Sequence, residues 1–141
     1  MLEAGDKSGW GRLFRAYLVF YETVLSEKQI KLTWMRLFGQ QDGMFGLVAL
    51  GNDNRPVGIA NSLFHRSTWA EHGYCYLEDL YVDATVRGSG AGRALVEATF
   101  AEAKRRGASD TYWATDKDNA TARALYDKVG KLTPFLQYKS P

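Results

Sequence analysis

The sequence has little that would support a disulfide or a metal centre. It contains one cysteine and two histidines among 141 residues. Cys75 therefore has no partner for an internal disulfide, and a lone thiol is typical of proteins in a reducing compartment. His65 and His72 do not cluster with the cysteine, so we expect no structural zinc site. The sequence predicts a cytoplasmic protein with no metal.

Long apolar runs and an excess of one charge are also missing. No apolar segment approaches membrane-spanning length, and the N-terminus lacks the hydrophobic stretch of a signal peptide. The net charge is only +2, and the basic run at 104–106 falls at a predicted helix end, where cations complement the helix dipole. We therefore expect neither a membrane partner nor a nucleic-acid partner.

The sequence contains enough apolar residues to form one hydrophobic core. Hydrophobic residues make up 45% of the chain and charged residues 24%, which are values of a folded domain. At this length we expect a single domain over residues 1–141.

The periodicity of apolar residues predicts alternating helices and strands. From Trp10 to Leu25 they recur at spacings of three and four, which indicates a helix. Ser26 and Gln29 form a capping-box pattern that begins a second helix, and Gly39 ends it. Further strands are predicted at 45–50, 57–64, 74–82, 111–114 and 135–138, with helices at 90–106 and 119–129. This order predicts an α/β protein with a mixed sheet flanked by helices.

A glycine-rich loop follows the longest predicted strand and precedes a helix. It runs from Arg87 to Arg93 and contains three glycines. Backbone N–H groups in such a loop and at the helix N-terminus favour a bound anion, and glycines allow a diphosphate to approach closely. A P-loop would require Gly-Lys-Ser/Thr, and the dinucleotide fingerprint would require glycine in place of Arg93. What remains is an R-x-x-G-x-G pattern over 87–92, or a glycine turn without a ligand.

This loop resembles the pyrophosphate loop of the GCN5-related N-acetyltransferases (GNAT). Asn119 to Gly130 is similar to a second motif of that family, in which an Asn opens a helix and a Tyr follows two turns later. The resemblance implies a GNAT fold, with a mixed and mostly antiparallel central sheet flanked by helices. Only residues 1–9 precede the first predicted helix, so the first edge strand is short or missing, or the start has been trimmed.

The resemblance also implies acetyl-CoA as co-substrate and assigns residues to it. The residues that would bind acetyl-CoA are Leu80, Tyr81, Val82, Arg87, Gly88, Ser89, Gly90, Ala91, Gly92, Arg93, Asn119 and Tyr126. Main-chain groups of Leu80 and Val82 would run beside the pantetheine arm. By the same resemblance, Tyr126 is the general acid that protonates the departing thiolate, with a core tyrosine as the alternative interpretation.

Residues 76–82 look like the corresponding strand of diamine and thialysine acetyltransferases. Tyr21, Glu22 and Trp69 match the substrate-pocket residues of that subfamily, and the chain is also similar to yeast Hpa2-like acetyltransferases. This implies a primary amine as acceptor: a polyamine, a diamine, a thialysine-like or other small cationic amine, or a protein lysine. It also implies a homodimer.

Two adjacent acids on that strand are the candidate acceptor-binding groups. Glu78 is our candidate base, and Asp79 and Glu22 would hold a distal cation. Strand alternation places Tyr76, Glu78, Leu80 and Val82 on one face, which leaves Asp79 on the opposite face, where a surface ion pair is the alternative. The competing function is a non-catalytic acyl-CoA-binding module on the same fold.

Overall fold

The computed structural model describes residues 1–141, which form four helices around a four-stranded sheet. The helices are α1 (Lys7–Phe20), α2 (Glu27–Phe38), α3 (Ala91–Arg105) and α4 (Ala120–Val129). The strands are β1 (Met44–Leu50), β2 (Pro56–His65), β3 (Gly73–Val82) and β4 (Ala108–Tyr112). None of these helices combines the length and the apolar character needed to cross a membrane.

The sheet is mixed and mostly antiparallel, which confirms the predicted architecture. Its strand order is β1-β2-β3-β4, in which the first three strands are antiparallel and β4 runs parallel to β3. No strand precedes α1; the Leu2 amide donates one hydrogen bond to the Gly46 carbonyl at 3.2 Å. The sheet therefore begins at β1, as the short segment before the first helix indicated.

The first two helices lie where the apolar pattern put them, with one early ending. α1 stops at Phe20, and Glu22 has a left-handed φ of 52°, so the predicted stripe to Leu25 is too long. Val24 belonged to that stripe and is 93% exposed. The Ser26 hydroxyl accepts a hydrogen bond from the Gln29 amide at 3.1 Å, which confirms the cap of α2.

Helices cover both faces of the sheet. On one face, α1 and α2 bury a cluster that includes Trp10, Phe14, Trp34 and the β2 residue Ile59. On the other face, the buried residues of the cluster are Leu47, Ala60, Leu77, Leu95 and Val96, which belong to the sheet and α3. Alternate residues of β1, β2 and β3 thus face apolar layers on the two sides of the sheet.

A β-bulge interrupts β3 and corrects the predicted arrangement of its faces. In the pairing with β2, Asn61 lies opposite Asp79 and Ser62 lies opposite Leu77, so Glu78 has no partner. Two residues of β3 therefore occupy the space of one, which breaks the alternation. Leu77, Leu80 and Val82 all pack in the α3-side cluster. The prediction that Glu78 shares a face with Leu80 and Val82, opposite Asp79, is wrong.

The C-terminal segment differs from the prediction. Residues 135–138 form no strand, and Phe135, Leu136 and Tyr138 are exposed. β4 covers 108–112 instead of 111–114. An apolar pattern favours extended backbone, but a strand forms only where an edge is paired, and the outer edge of β4 has no strand partner.

Candidate active site

β3 and β4 separate part-way along β3 and leave one edge of β3 open. Their pairing ends at Tyr76 and Tyr112, whereas β2 stays paired with β3 as far as Val82. The Asp83 amide donates to the Val57 carbonyl of β2 at 2.8 Å. Since main-chain groups alternate in direction along a strand, those of Leu80 and Val82 face the open side. An extended ligand with amide groups can pair with this edge as an added strand would.

The glycine loop gives an open cradle at the N-terminus of α3. Gly88 and Gly90 have φ values of 85° and 87°, and a Cβ added at either would meet no atom within 4 Å. Gly90 caps the helix without a side chain, so the first N–H groups of α3 have no side-chain acceptor. Free N–H groups, space and the positive end of the helix dipole fit a diphosphate. The predicted residues therefore fit the pyrophosphate of acetyl-CoA.

Gly92 has different surroundings from the other two glycines of the loop. A Cβ at this position would lie 3.4 Å from Leu125 and 3.7 Å from Val82. These are ordinary van der Waals distances, so an alanine would fit at this position, where α3 approaches α4 and β3.

Three other predicted acetyl-CoA ligands already have protein partners. The Arg87 guanidinium lies 5.6 Å from the centre of the Tyr81 ring, and its Nε donates to the Val82 carbonyl at 3.3 Å. Arg93 pairs with Glu97 one helical turn later, at 2.8 Å. Asn119 caps a helix: its side-chain oxygen accepts a hydrogen bond from the Ala122 amide at 3.1 Å, at the start of α4.

Tyr126 lies on α4, and its hydroxyl makes no hydrogen bond to another residue. Its ring meets that of Trp113 edge-on, with centroids 5.5 Å apart at 71°. Burial, with a contribution from the nearby Tyr21, raises the pKa of Tyr126 to about 12. The hydroxyl is therefore protonated at neutral pH and free to donate.

A cavity of about 460 Å³ lies between the α1–α2 pair and the sheet. Three of the predicted acceptor-binding residues line it: Tyr21, Glu78 and Asp79. The bulge explains why the two adjacent acids are both in the wall, because it removes the alternation that would separate them. Tyr21 is also near enough to Tyr126 to contribute to the raised pKa of its hydroxyl.

The carboxylate of Asp79 is held by a chain of hydrogen bonds. The Asn61 amide donates to Asp79 Oδ2 at 3.0 Å, and Trp10 Nε1 donates to Asn61 Oδ1 at 3.0 Å. Burial raises the pKa of Asp79, partly offset by its interactions with Asn61 and Tyr17. Sequence reasoning missed Asn61 and assigned Trp10 and Tyr17 only to the stripe of the first helix, because the approach of these side chains to Asp79 depends on how α1 crosses the sheet.

Glu78 differs from Asp79 in having no hydrogen-bond partner. Burial, and then the neighbouring charge of Asp79, raise the pKa of Glu78. A carboxylate with a raised pKa is a better proton acceptor than one with an ordinary pKa, and Glu78 lies at the bulge beside the open edge of β3.

Glu22 and Trp69 do not line the cavity. Trp69 is 86% exposed in the loop between β2 and β3, and Glu22 lies on the turn after α1. Cys75 is buried, which raises the pKa of its thiol to about 11. It is therefore a neutral thiol at pH 7, which argues against a nucleophilic role.

Comparison with known proteins gives the family of the chain. The model of the Acetyltransferase (GNAT) family matches residues 10–130. The chain belongs to this family. The D-amino-acid N-acetyltransferase HPA3 of Saccharomyces cerevisiae (strain ATCC 204508 / S288c) is 31% identical over 139 residues, covering 98% of this chain and 86% of the relative. The protein is thus a GNAT acetyltransferase.

Solved structures of acetyltransferases share the fold at lower identity. An aminoglycoside acetyltransferase from an uncultured soil metagenomic sample, in complex with trehalose, is 21% identical with a TM-score of 0.78; the match covers 99% of this chain and 93% of that chain. Ribosomal-protein-alanine N-acetyltransferase from Brucella melitensis biovar Abortus 2308 is 17% identical with a TM-score of 0.77, covering 99% and 95%. These likenesses confirm the GNAT fold.

Proposed function

We propose that this GNAT acetyltransferase moves an acetyl group from acetyl-CoA directly to a primary amine of a small molecule. The observation that carries the proposal is the bulge, which brings Glu78 and Asp79 into one cavity beside the open edge of β3. Acetyl-CoA supplies the acyl group as an activated thioester. Its diphosphate would lie on the loop at Gly88–Gly90, and its amides along Leu80 and Val82.

Two side chains of the protein would move the protons. Alkylammonium groups have pKa values of about 10.4, so the acceptor arrives charged and must lose a proton before its nitrogen can attack. Glu78 accepts that proton, directly or through water. As the C–N bond forms and the C–S bond breaks, Tyr126 gives its proton to the sulfur, and the proton released from nitrogen restores the hydroxyl. A main-chain N–H on the open edge would stabilise the developing oxyanion.

The acidic wall favours an acceptor that carries positive charge. A carboxylate in contact with an ammonium gains about 1–4 kcal/mol, depending on exposure. Polyamines, diamines, thialysine-like amines and protein lysines all present such a group. The cavity lies between helices and sheet, which favours a small molecule, and HPA3 is named for the acetylation of D-amino acids.

Two other expectations bear on this proposal. Membership of an acetyltransferase family and the presence of both Glu78 and Tyr126 favour an enzyme over a non-catalytic acyl-CoA-binding module. The homodimer stays a prediction; the unpaired outer edge of β4 and the exposed apolar side chains at 132–138 are surfaces that a second copy would cover.

Release of free CoA thiol tests the proposal on spermidine, putrescine, thialysine, lysine, D-amino acids and a histone-tail peptide. We expect Glu78→Gln to lower kcat about 10²-fold or more at neutral pH, because deprotonation then falls to solvent. The rising limb of the pH–rate profile should move to higher pH. Glu71→Gln, an exposed acid outside the cavity, is the matched control. Absence of thiol release with every amine would refute the proposal.

A further inference from the structure

The cavity that is lined by Glu78 and Asp79 is also lined by a cationic side chain. Arg36, half-buried in the last turn of α2, lines it together with Glu78 and Asp79. None of the six salt bridges in the protein includes Arg36, and its guanidinium makes no hydrogen bond. The cavity therefore has charges of both signs that do not neutralise each other within contact distance.

The part of the cavity wall that α2 provides includes several polar side chains. Gln29 and Thr33 line the cavity two turns and one turn before Arg36, at spacings that place all three on one helix face. The side-chain amide of Gln29 donates to the Thr33 hydroxyl at 3.2 Å, and that hydroxyl donates to the main-chain carbonyl of Gln29 at 3.0 Å. A helix face that only packed against a sheet would be apolar there. This polar face ending in a cation is suited to an anionic group.

We propose that the acceptor is a free amino acid, whose carboxylate is bound by Arg36 while its amine faces Glu78. The inference rests on the proposed function and adds a specificity-determining residue to it. A planar guanidinium can bind a carboxylate through two parallel hydrogen bonds, and the Arg36 guanidinium has no acceptor within the protein. A polyamine would instead bring a second cation towards Arg36. A cavity of about 460 Å³ is within the usual size range of small-molecule sites.

A purely structural role for Arg36 makes a different prediction. A cation in the last turn of a helix interacts favourably with the helix dipole, and α2 ends at Phe38. Replacing Arg36 would then reduce the thermal stability of the protein equally in the presence of every ligand. Only the binding role depends on whether the ligand has a carboxylate.

The test compares amino acids with the amines that differ only by the carboxylate. Leucine, phenylalanine and lysine, in both enantiomers, are paired with isopentylamine, phenethylamine and cadaverine, and Kd is measured by calorimetry. We expect the parent protein to bind at least one amino acid more tightly than its matched amine. Arg36→Gln should weaken that amino acid about tenfold to a hundredfold and change the amine less than twofold. Arg36→Lys should restore part of the loss.

Lys31→Gln is the matched control, because it removes the same charge from an exposed position of α2 outside this cavity. It should change neither Kd. Equal binding of amino acids and amines by the parent, or equal weakening of both by Arg36→Gln, would overturn the inference. CoA thiol release separates the two proposals: acetylation of amines regardless of a carboxylate refutes only this one, whereas amino-acid binding without turnover refutes only the proposed function.

Discussion

Replacing Tyr126 by Phe removes one oxygen at the point where the proposed mechanism needs a proton. The ring keeps its edge-on contact with Trp113, 5.5 Å between centroids. The hydroxyl has no hydrogen-bond partner in the protein, so its loss leaves no donor or acceptor unpaired. We therefore expect the thermal stability of Tyr126→Phe to equal or exceed that of the parent protein.

The effect on the rate should be large, because a positioned acid contributes about 10²–10⁴-fold. The pKa of about 12 adds a constraint on the pH profile. Only about one Tyr126 side chain in 10⁵ is ionised at pH 7. At any pH below about 11, ionisation of Tyr126 should therefore leave kcat unchanged. An ordinary tyrosine, with a pKa of about 10, would begin to reduce it near pH 9.

The assay is a single-turnover measurement of thiol release with saturating acetyl-CoA, which keeps product release from hiding the chemical step. Tyr74→Phe is the control, since this half-buried tyrosine on β3 also lacks a hydrogen-bond partner and lies outside the cavity. A single-turnover rate for Tyr126→Phe within threefold of the parent value would refute the role of general acid and return Tyr126 to the core.

Two further variants address the acetyl-CoA site and the stability of α3. Gly90→Asp forces a side chain into left-handed backbone (φ 87°) and places a carboxylate at the cradle, so calorimetry should show acetyl-CoA binding weakened at least tenfold; unchanged affinity would mean that the loop is not the diphosphate site. Hydrogen bonds from Arg105 and Arg106 lower the pKa of Glu102 to about 2. Because the folded-state pKa lies below the ordinary value of 4.5, this stabilisation is complete above pH 4.5 and is lost as the pH falls towards 2. Glu102→Gln should lower the free energy of unfolding by about 1.5–3 kcal/mol at pH 7 and by less in acid; a constant difference across that range in urea titrations would contradict the ion-pair interpretation.

Local signals in the sequence predicted most of the elements and the acetyl-CoA loop. The Ser26 cap, the glycine at the start of α3 and the Asn119 cap depend on neighbouring residues, and each has the predicted place in the structure. The errors occur where the outcome depends on distant strands. Nothing in residues 76–82 indicates a bulge, because a bulge is a property of the pairing with β2.

The acceptor cavity was harder to predict for the same reason. The family resemblance identified Glu78, Asp79 and Tyr21. Asn61 and Arg36 lie in other segments, and whether they line the same cavity depends on how those segments pack. Arg36 in particular has the sequence context of an ordinary surface residue at a helix end. Its position in the cavity follows from the way α2 lies across β1, which local patterns do not encode.

The bulge in β3 also shows that the sheet does not need every residue of this strand. If Glu78 is left out, the remaining side chains alternate without a break: Leu77 and Leu80 on the α3 side, Asp79 and Tyr81 on the cavity side. The pairing of Asn61 and Ser62 would also become continuous. Glu78 is therefore supernumerary to the sheet. Its carboxylate lies in the site without displacing any core residue, so the apolar layers on the two sides of the sheet stay in phase across the position where the chemistry is proposed.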